Sequence, residues 1–305
     1  MSAVLKPLGE RLDAPVSART LPPLRPETEH ALDALGVLPH LRPLPWPQRL
    51  WQHAALRKSV ILVLLAALWE LLARLTDNEL LLPTFGATAA AFAEGMASGE
   101  LPTKAAISIS LLLRGYALGV LAAFVLTTLA VSTRIGRDLL STLTAMFNPL
   151  PAIALLPLAL LWFGLGANSL LFVLVHSVLW PLALATYSGF QGVPEVLRMA
   201  GRNYGLTGLR YVLQILVPAA LPAILSGLKI AWAFAWRTLI AAELVFGASS
   251  GQGGLGWYVF QNRNELYTDR VFAGLACVIL IGLVVEGLVF NTLERLTVRR
   301  WGQQR

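Results

Sequence analysis

Two charged residues, Arg237 and Glu243, lie inside one long apolar run of the sequence. A charged side chain at the centre of a bilayer costs about 2.5–3.5 kcal/mol on insertion scales, so such residues usually face protein or water. They are six positions apart, whereas partners on one helix face are three or four apart. Two interpretations stay open: they pair with Arg114 or Glu286 on other runs, or Arg237 faces a solute path and favours an anion there.

A single histidine, His176, also lies within an apolar run, while His30, His40 and His53 precede the first run. Haem or metal held between membrane helices needs several ligands on facing helices, so neither is predicted. His176 is either satisfied within its own helix or lines a solute path, because buried ionisable groups in membranes tend to be functional. The one cysteine, Cys277, excludes a disulfide within the chain.

Glycines recur in two patterns. The stretch Gly251-Gln-Gly-Gly-Leu-Gly256 fits the letters of a dinucleotide site, but that site requires a preceding strand, and here an apolar run precedes it. These glycines are therefore predicted to permit tight turns. The stretch Gly115-Tyr-Ala-Leu-Gly119 permits close approach of another helix, from this chain or from a second copy. The sequence contains no phosphate-binding G-x-x-x-x-G-K-[ST] loop.

One apolar run contains Pro149, Pro151 and Pro157. Proline removes a backbone hydrogen bond and kinks a helix. Within a membrane, such a break is tolerated where protein or water satisfies the freed groups. Pro149 and Pro151 are therefore candidates for the lining of a translocation path, and a kinked packing helix is the alternative.

The composition explains what holds these residues in place. Of the 305 residues, 56% are hydrophobic and 13% are charged, against about 25% charged in soluble domains. Six apolar runs come close to or exceed the roughly 20 residues that a membrane helix needs. They lie at about 59–75, 105–131, 139–163, 168–190, 219–246 and 271–291. The sequence predicts an all-α membrane protein with six transmembrane helices, and a short surface helix near 88–96.

The basic residues predict the orientation and the domain boundaries. Of 24 Lys and Arg residues, 17 fall on the side that would hold both termini and 3 on the other side. Both termini are therefore predicted to be cytoplasmic, and the net charge of +7 then needs no nucleic-acid partner. The predicted domains are a partly disordered extension with a possible short amphipathic helix (1–57), a transmembrane domain (58–291) and a cytoplasmic basic tail (292–305).

The longest internal loop on the predicted cytoplasmic side spans about 192–218. Pro194 is suited to start a helix there, and Gly205 is suited to end it. Val196, Met199 and Ala200 fall on one face of that helix. A short amphipathic helix outside the membrane predicts docking into a groove of a soluble partner.

The loop resembles that of permease subunits of bacterial ABC importers, which carry E-A-A-x-x-x-G, then nine residues, then I-x-L-P. The spacing from Gly205 to Pro218 matches this pattern, while Met199 stands where the family has its glutamate. Glu195 lies one turn earlier and is the candidate substitute. The residues that the resemblance assigns to contact with an ATPase are Glu195, Met199, Ala200, Gly201, Gly205, Leu206, Ile215 and Pro218.

Further stretches are similar to the nitrate, taurine and alkanesulfonate branch of this family, so that the resemblance covers about residues 59–300. They are Leu81-Leu-Pro83-Thr, Ser110-Leu-Leu-Leu-Arg114-Gly-Tyr-Ala-Leu-Gly119, Asn148-Pro-Leu-Pro151, Trp162-Phe-Gly-Leu-Gly166 and Ala241-Ala-Glu243.

The resemblance implies the type I importer permease fold in the bacterial inner membrane. It implies that two permease copies pair, bind two cytoplasmic ATPase subunits and receive solute from a periplasmic or lipid-anchored binding protein. ATP and Mg would be bound by the ATPases, so that this chain would carry no cofactor, no metal and no catalytic residue. The helix at about 195–205 would be the coupling helix that sits in the ATPase.

The same resemblance favours a small anion as the solute: a sulfonate such as taurine, nitrate or an organic carboxylate. The path candidates from the residues themselves are Arg237, Glu243, His176, Pro149 and Pro151. The alternative function is a secondary transporter or channel that works without an ATPase.

Overall fold

A computed structural model describes residues 53–246 and 253–299 of the chain. The chain divides into two units, residues 1–60 and 61–305, and the described part belongs almost entirely to the second. The predicted N-terminal extension and its amphipathic helix therefore lie largely outside the described residues, as do the last six residues. The described part is helical and contains no strand.

The helices are numbered here in chain order. They are α1 (Ala54–Thr76), α2 (Phe85–Ala97), α3 (Glu100–Ser132), α4 (Arg134–Phe147), α5 (Leu156–Phe163), α6 (Ala167–Gln191), α7 (Glu195–Asn203), α8 (Gly208–Ala219), α9 (Leu221–Phe246), α10 (Leu255–Asn264) and α11 (Thr268–Thr297). Among the described residues, α1, α3, α6, α9 and α11 are each long and apolar enough to cross a membrane. They correspond to five of the six predicted runs. The predicted short helix near 88–96 lies within α2.

The remaining run, predicted as one kinked helix at 139–163, is two helices bent by 90°. α4 ends at Phe147, and residues 148–151 then break the helix before a 3₁₀ turn at Ala152–Leu155 leads into α5. Pro149 and Pro151 explain the break, since neither can donate a backbone hydrogen bond and each fixes its φ. Pro157 lies at the start of α5, where its missing N–H costs little.

Small residues bring α3, α6 and α9 into close contact. A Cβ built on Gly115 or Gly119 of α3 would lie 2.6 Å from the Cβ of Leu174 or Val178 of α6. The partner of this GxxxG pattern is therefore a helix of the same chain. α6 approaches α9 in the same way at Gly189. These three helices form the core on which the other elements pack.

Two features differ from the predicted boundaries at the C-terminal end. α10 occupies part of a segment that the sequence predicts as a loop between two spans. α11 continues through a π-helical stretch at Val285–Phe290 and extends past residue 291, so that the predicted basic tail begins within a helix.

Candidate functional site

α7 begins and ends where the sequence predicts. Pro194 precedes its first residue, and Gly205 follows its end with a left-handed φ of +71°. The Gly205 N–H donates to the Arg202 carbonyl at 2.9 Å, and the Leu206 N–H donates to the Gly201 carbonyl at 3.1 Å. This pair of bonds is the Schellman arrangement that closes helices with a glycine.

Gly201 allows α7 to pack closely against α8. A Cβ at this position would lie 2.9 Å from Ile215 Cγ1 and 3.1 Å from the ring of Tyr211. The family alanine would therefore crowd two side chains of α8, which explains why glycine stands here. Ile215 lies in a π-helical stretch of α8, Val212–Leu216, and Pro218 follows it one turn before α9 begins.

The face of α7 that points away from α8 is apolar and exposed. Val196 is 71% exposed, Met199 49% and Tyr204, directly after the helix, 84%. Ala200 is half-buried. Glu195 is exposed and lies 3.9 Å from the Nε atom of Arg198. Several exposed apolar side chains on a short polar helix are typical of a surface that a partner covers.

Arg198 ties α7 to the end of α6, a contact that the sequence analysis missed. Its Nη2 atom donates to the Phe190 carbonyl at 2.5 Å and to the Gln191 carbonyl at 3.4 Å, and its Nε donates to the Val193 carbonyl at 3.1 Å. The last carbonyls of a helix lack partners within the helix, and a cation is favourable at that end. One guanidinium thus fixes α7 onto the end of α6.

Buried apolar residues complete this junction. Phe190 and Val193, at the end of α6, pack with Val212 and Leu216 of α8 and with Ala220 between α8 and α9. α7 is therefore connected to α6 through Arg198 and to α9 through α8. Movement of α7 would be passed to two membrane-length helices.

A second feature is a half-enclosed cavity of about 610 Å³ at the break between α4 and α5. Residues 147–152 of the break form one wall, and α6 and α9 form the others. Three predicted path residues, Pro149, Pro151 and His176, meet there. Neither ring nitrogen of His176 has a hydrogen-bond partner within the described residues.

Arg237 lies on the exposed side of α9 and lines another cavity, between α9 and α11, together with Lys229 and Glu286. Its Nε atom donates to the Ala233 carbonyl at 3.0 Å, and its guanidinium carbon lies 5.0 Å from the centroid of the Phe234 ring. Of the two interpretations left open, the pairing with Glu286 does not form, since Glu286 binds Lys229 at 2.9 Å. Across the described residues, no carboxylate lies within ion-pair distance of Arg237.

Glu243 lies apart from the cavity and is 4% exposed. Both of its carboxylate oxygens accept from Ser108 Oγ, at 2.9 and 2.8 Å, and one accepts from the Gly256 N–H at 2.8 Å. Ser108 Oγ in turn accepts from the Leu255 N–H at 2.9 Å. The predicted pairing of Glu243 with Arg114 is therefore replaced by hydrogen bonds to α3 and to the start of α10.

Gly254 and Gly256 leave room for this hydrogen-bond network. The prediction that they permit tight turns is wrong, because Gly254 has a φ of −81° and Gly256 lies within α10. A Cβ at either position would overlap Ser108 or the Glu243 side chain. They are needed for close approach of the chain to a buried carboxylate. Gly251 lies outside the described residues.

Membrane-length helices around a broken span, together with a loop helix tied to two of them, are the architecture of a multi-pass membrane protein. The family model described as the inner membrane component of binding-protein-dependent transport systems matches residues 115–298, and the chain belongs to this family. The resemblance stated from the loop is thereby confirmed.

Relatives agree with this assignment. A putative ABC transporter permease protein of Methanocaldococcus jannaschii is 32% identical over 232 residues, which are 75% of this chain and 84% of that protein. The putative aliphatic sulfonates transport permease protein SsuC of Escherichia coli is 31% identical over 236 residues, 77% of this chain and 88% of that protein. The nitrate import permease protein NrtB of Leptolyngbya laminosa is 29% identical over 175 residues, 57% of this chain and 61% of that protein.

The chain is thus the permease subunit of an ABC importer, a transport protein and not an enzyme. Family membership also implies that it works with ATPase and substrate-binding partners. This assignment replaces the alternative of a secondary transporter or channel.

Proposed function

We propose that this chain forms the translocation path for a small anion and that α7 couples the path to ATPase subunits on the cytoplasmic side. ATP and Mg would be bound and ATP hydrolysed in those subunits, and both termini of this chain would lie in the cytoplasm. A binding protein on the other side of the bacterial inner membrane would deliver the solute. The observation that carries the proposal is the exposed apolar face of α7, held on two spans.

The residues of α7 have distinct roles in this proposal. Val196, Met199 and Tyr204 supply the apolar contact with the ATPase, and Glu195 adds a charge beside it. Gly201 allows the helix to pack closely on α8, and Gly205 ends the helix. Because Met199 replaces the family glutamate, the contact at this position would rest on apolar burial rather than on an ion pair.

The nature of the solute is supported by charge and by the relatives. Two relatives are named for aliphatic sulfonates and for nitrate, both of which are small oxyanions. Arg237 is exposed on α9 without a carboxylate partner in the described part of the chain. A cation in this position is favourable for an anion that passes along α9.

We further propose that two copies of this chain pair along α9. Phe234 is 44% exposed and Ile230 46%, on the same side as Arg237. A charged face on a membrane-length helix is unfavourable against lipid, so protein or water must cover it. A second copy related by twofold symmetry would cover the apolar residues and enclose a path between the two Arg237 side chains.

The test of the coupling role is capture of the ATPase. The full-length tagged permease is co-expressed with the ATPase subunit of its operon or genome, purified in mild detergent and assayed for bound subunit and for ATP turnover. Val196→Asp would place a charge in the apolar face, and we expect loss of the ATPase from the purified permease. Leu81→Asp is the matched control, since Leu81 is 70% exposed in the loop between α1 and α2, away from α7.

Stoichiometric ATPase with wild type and with Leu81→Asp, but not with Val196→Asp, is the expected result. Equal capture of the ATPase by all three proteins would reject α7 as the coupling element.

A further inference from the structure

A polar cavity lies where α7 meets the ends of α3 and α6. Its volume is about 410 Å³, within the roughly 300–1,000 Å³ of small-molecule sites. The last turn of α3, the first turn of α4, the end of α6 and one residue of α7 form its wall. Four of the seven described residues that line it are polar, namely Arg137, Tyr187, Gln191 and Arg198. This wall is suited to a charged ligand.

The charge of the cavity favours an anion. Two arginines and no carboxylate are among the described residues that line it. The Arg137 side chain forms no ion pair in the described part of the chain. Arg198 donates to carbonyls through its Nε and Nη2 atoms, whereas its Nη1 atom has no acceptor among the described residues. Because a guanidinium is always charged and carries five N–H groups, both arginines retain donors for an oxyanion.

Both arginines can be reached from outside, and neighbouring carboxylates do not neutralise them. Arg137 is exposed, and the Arg198 side chain is 21% exposed. Asp138 forms no ion pair with Arg137 within the described residues. Glu195 approaches Arg198 only at the Nε atom, at 3.9 Å, and it also lies 3.8 Å from Arg202. The Glu195 side chain is 62% exposed, and ion pairs in water are weak, so the cavity keeps a positive charge.

The cavity lies at the level of a membrane surface. It adjoins the ends of α3 and α6, and both are helices of membrane-crossing length. The first turn of α4 carries Arg134 and Arg137, together with Ile135, which is 82% exposed. Basic and exposed apolar side chains in one turn are typical of the boundary between headgroups and acyl chains. The anions in constant contact with this boundary are the phosphates of lipids.

We propose that this cavity binds the phosphate of an anionic phospholipid, such as phosphatidylglycerol, in the leaflet on the side of α7. The phosphate oxygens accept hydrogen bonds from Arg137 and from the Nη1 atom of Arg198, because a guanidinium can donate two parallel bonds to a phosphate. Basic pockets between membrane helices on the cytoplasmic side are suited to lipid headgroups.

The bound phosphate would join α4, the first half of the broken span, to α7. Val196 is two positions from Arg198 and therefore lies on another side of α7. The lipid and the ATPase would thus contact separate faces of this helix. The inference rests on the proposed cytoplasmic position of α7, and it adds a lipid to the partners of the coupling helix.

Wild-type protein tests the ligand class directly. The full-length permease is purified in a neutral detergent and titrated, by microscale thermophoresis, with dioctanoyl phosphatidylglycerol, with the zwitterionic dioctanoyl phosphatidylcholine and with sodium phosphate. We expect phosphatidylglycerol to bind at least about tenfold more tightly than either of the others, because two basic residues favour the lipid with a net negative charge. Equal affinity for the two lipids would overturn the proposal. Binding of inorganic phosphate as tight as that of phosphatidylglycerol would show a site for free phosphate and overturn the lipid as its source.

Matched variants distinguish a built site from general attraction to a basic surface. Arg137→Gln removes one charge from the wall and should weaken phosphatidylglycerol binding about fivefold. Arg134→Gln is the control, because it makes the same change of charge at an exposed residue of the same turn that does not line the cavity. We expect it to bind like wild type. Equal losses in the two variants, or wild-type affinity in Arg137→Gln, would overturn the site.

The result is separable from that of the coupling test. Selective binding of phosphatidylglycerol with no capture of an ATPase by wild type would reject the coupling proposal and retain the lipid site. ATPase capture and turnover without selectivity between the two lipids would retain the coupling role and reject the lipid site.

Discussion

Gly205 holds the end of α7 in a backbone conformation that other residues adopt at a cost. Its φ of +71° lies in the left-handed region, where a Cβ costs about 1–2 kcal/mol. We expect Gly205→Ala to loosen α7 and to uncouple ATP turnover from uptake, with normal membrane insertion. Gly192→Ala is the matched control, since Gly192 precedes the same helix with a φ of −73° and no neighbour closer than 3.5 Å to an added Cβ.

The measurement is the ratio of solute uptake to ATP hydrolysis in proteoliposomes that contain the complete importer. A fall in this ratio for Gly205→Ala alone supports the coupling role. An unchanged ratio would mean that the left-handed turn is not needed to hold α7 in place.

Arg198 is the second residue on which the junction depends. Its guanidinium donates to the carbonyls of Phe190, Gln191 and Val193, and Arg198→Ala would remove these three hydrogen bonds between α7 and the end of α6. A hydrogen bond to a charged group contributes about 1.5–3 kcal/mol, and less where water replaces it. We expect the permease to retain its fold and the uptake per ATP hydrolysed to fall at least about fivefold, because α7 would no longer be fixed to α6. Arg198→Lys should be intermediate, since lysine lacks the planar fork of donors.

The control for Arg198 is Arg263→Ala, which removes an exposed arginine of α10 from another region of the chain. If Arg198→Ala lowers only the melting temperature and leaves the uptake-to-ATP ratio at the wild-type value, the residue stabilises the fold but does not pass movement from α7 to α6.

At this scale the sequence predicts local features better than distant ones. The spacing from Gly205 to Pro218 and the Gly205 turn follow from neighbours in the chain, and the helix boundaries of α7 are confirmed. Arg198 was missed because its three acceptors become available only when α6 ends beside α7. A basic residue a few positions after the end of a span is a weak signal for such a contact.

Among the helices, α10 shows why element prediction fails at one place and succeeds at others. Long apolar runs predict α1, α3, α6, α9 and α11, because their length alone satisfies the need to cross a bilayer. α10 has no amphipathic pattern, and its start is held by Ser108 and Glu243, which are distant in sequence. The break between α4 and α5 was predicted from its prolines, but the 90° bend was not.

The Ser108–Glu243 pair is expected to hold α3, α9 and α10 together. Ser108→Ala would remove the donor to both carboxylate oxygens and the acceptor of the Leu255 N–H. A buried group left without its partner costs about 1–3 kcal/mol, so we expect a clear fall in the melting temperature of the purified permease. Ser110→Ala, two positions along α3 and exposed, should melt like wild type.

A double-variant cycle with Glu243→Gln separates this pair from general effects on packing. We expect the combined variant to be less destabilised than the sum of the two single ones, because both remove the same interaction. Strict additivity would show that the two residues act independently despite their contact.

At the level of the whole molecule, the described chain leaves one face of α9 without a cover suited to it. Arg237 lies there between apolar neighbours, while the opposite side of α9 packs on α6. Charge on a lipid-facing helix is costly, and a twofold partner covers the same face on both copies at once. A single path would then lie on the twofold axis, with the Arg237 side chains and the coupling helices in pairs about it.

Cysteine cross-linking tests this arrangement. Ala233, an exposed residue between Ile230 and Arg237 on α9, is replaced by cysteine in a background in which Cys277 is alanine. Two such cysteines form a disulfide only if their Cα atoms come within about 7 Å, so mild oxidation in membranes should yield a covalent dimer. Ala117→Cys, an equally small and exposed position on α3, should stay monomeric. Cross-linking of Ala117→Cys in preference to Ala233→Cys would place the twofold contact on α3 and move Arg237 away from the axis.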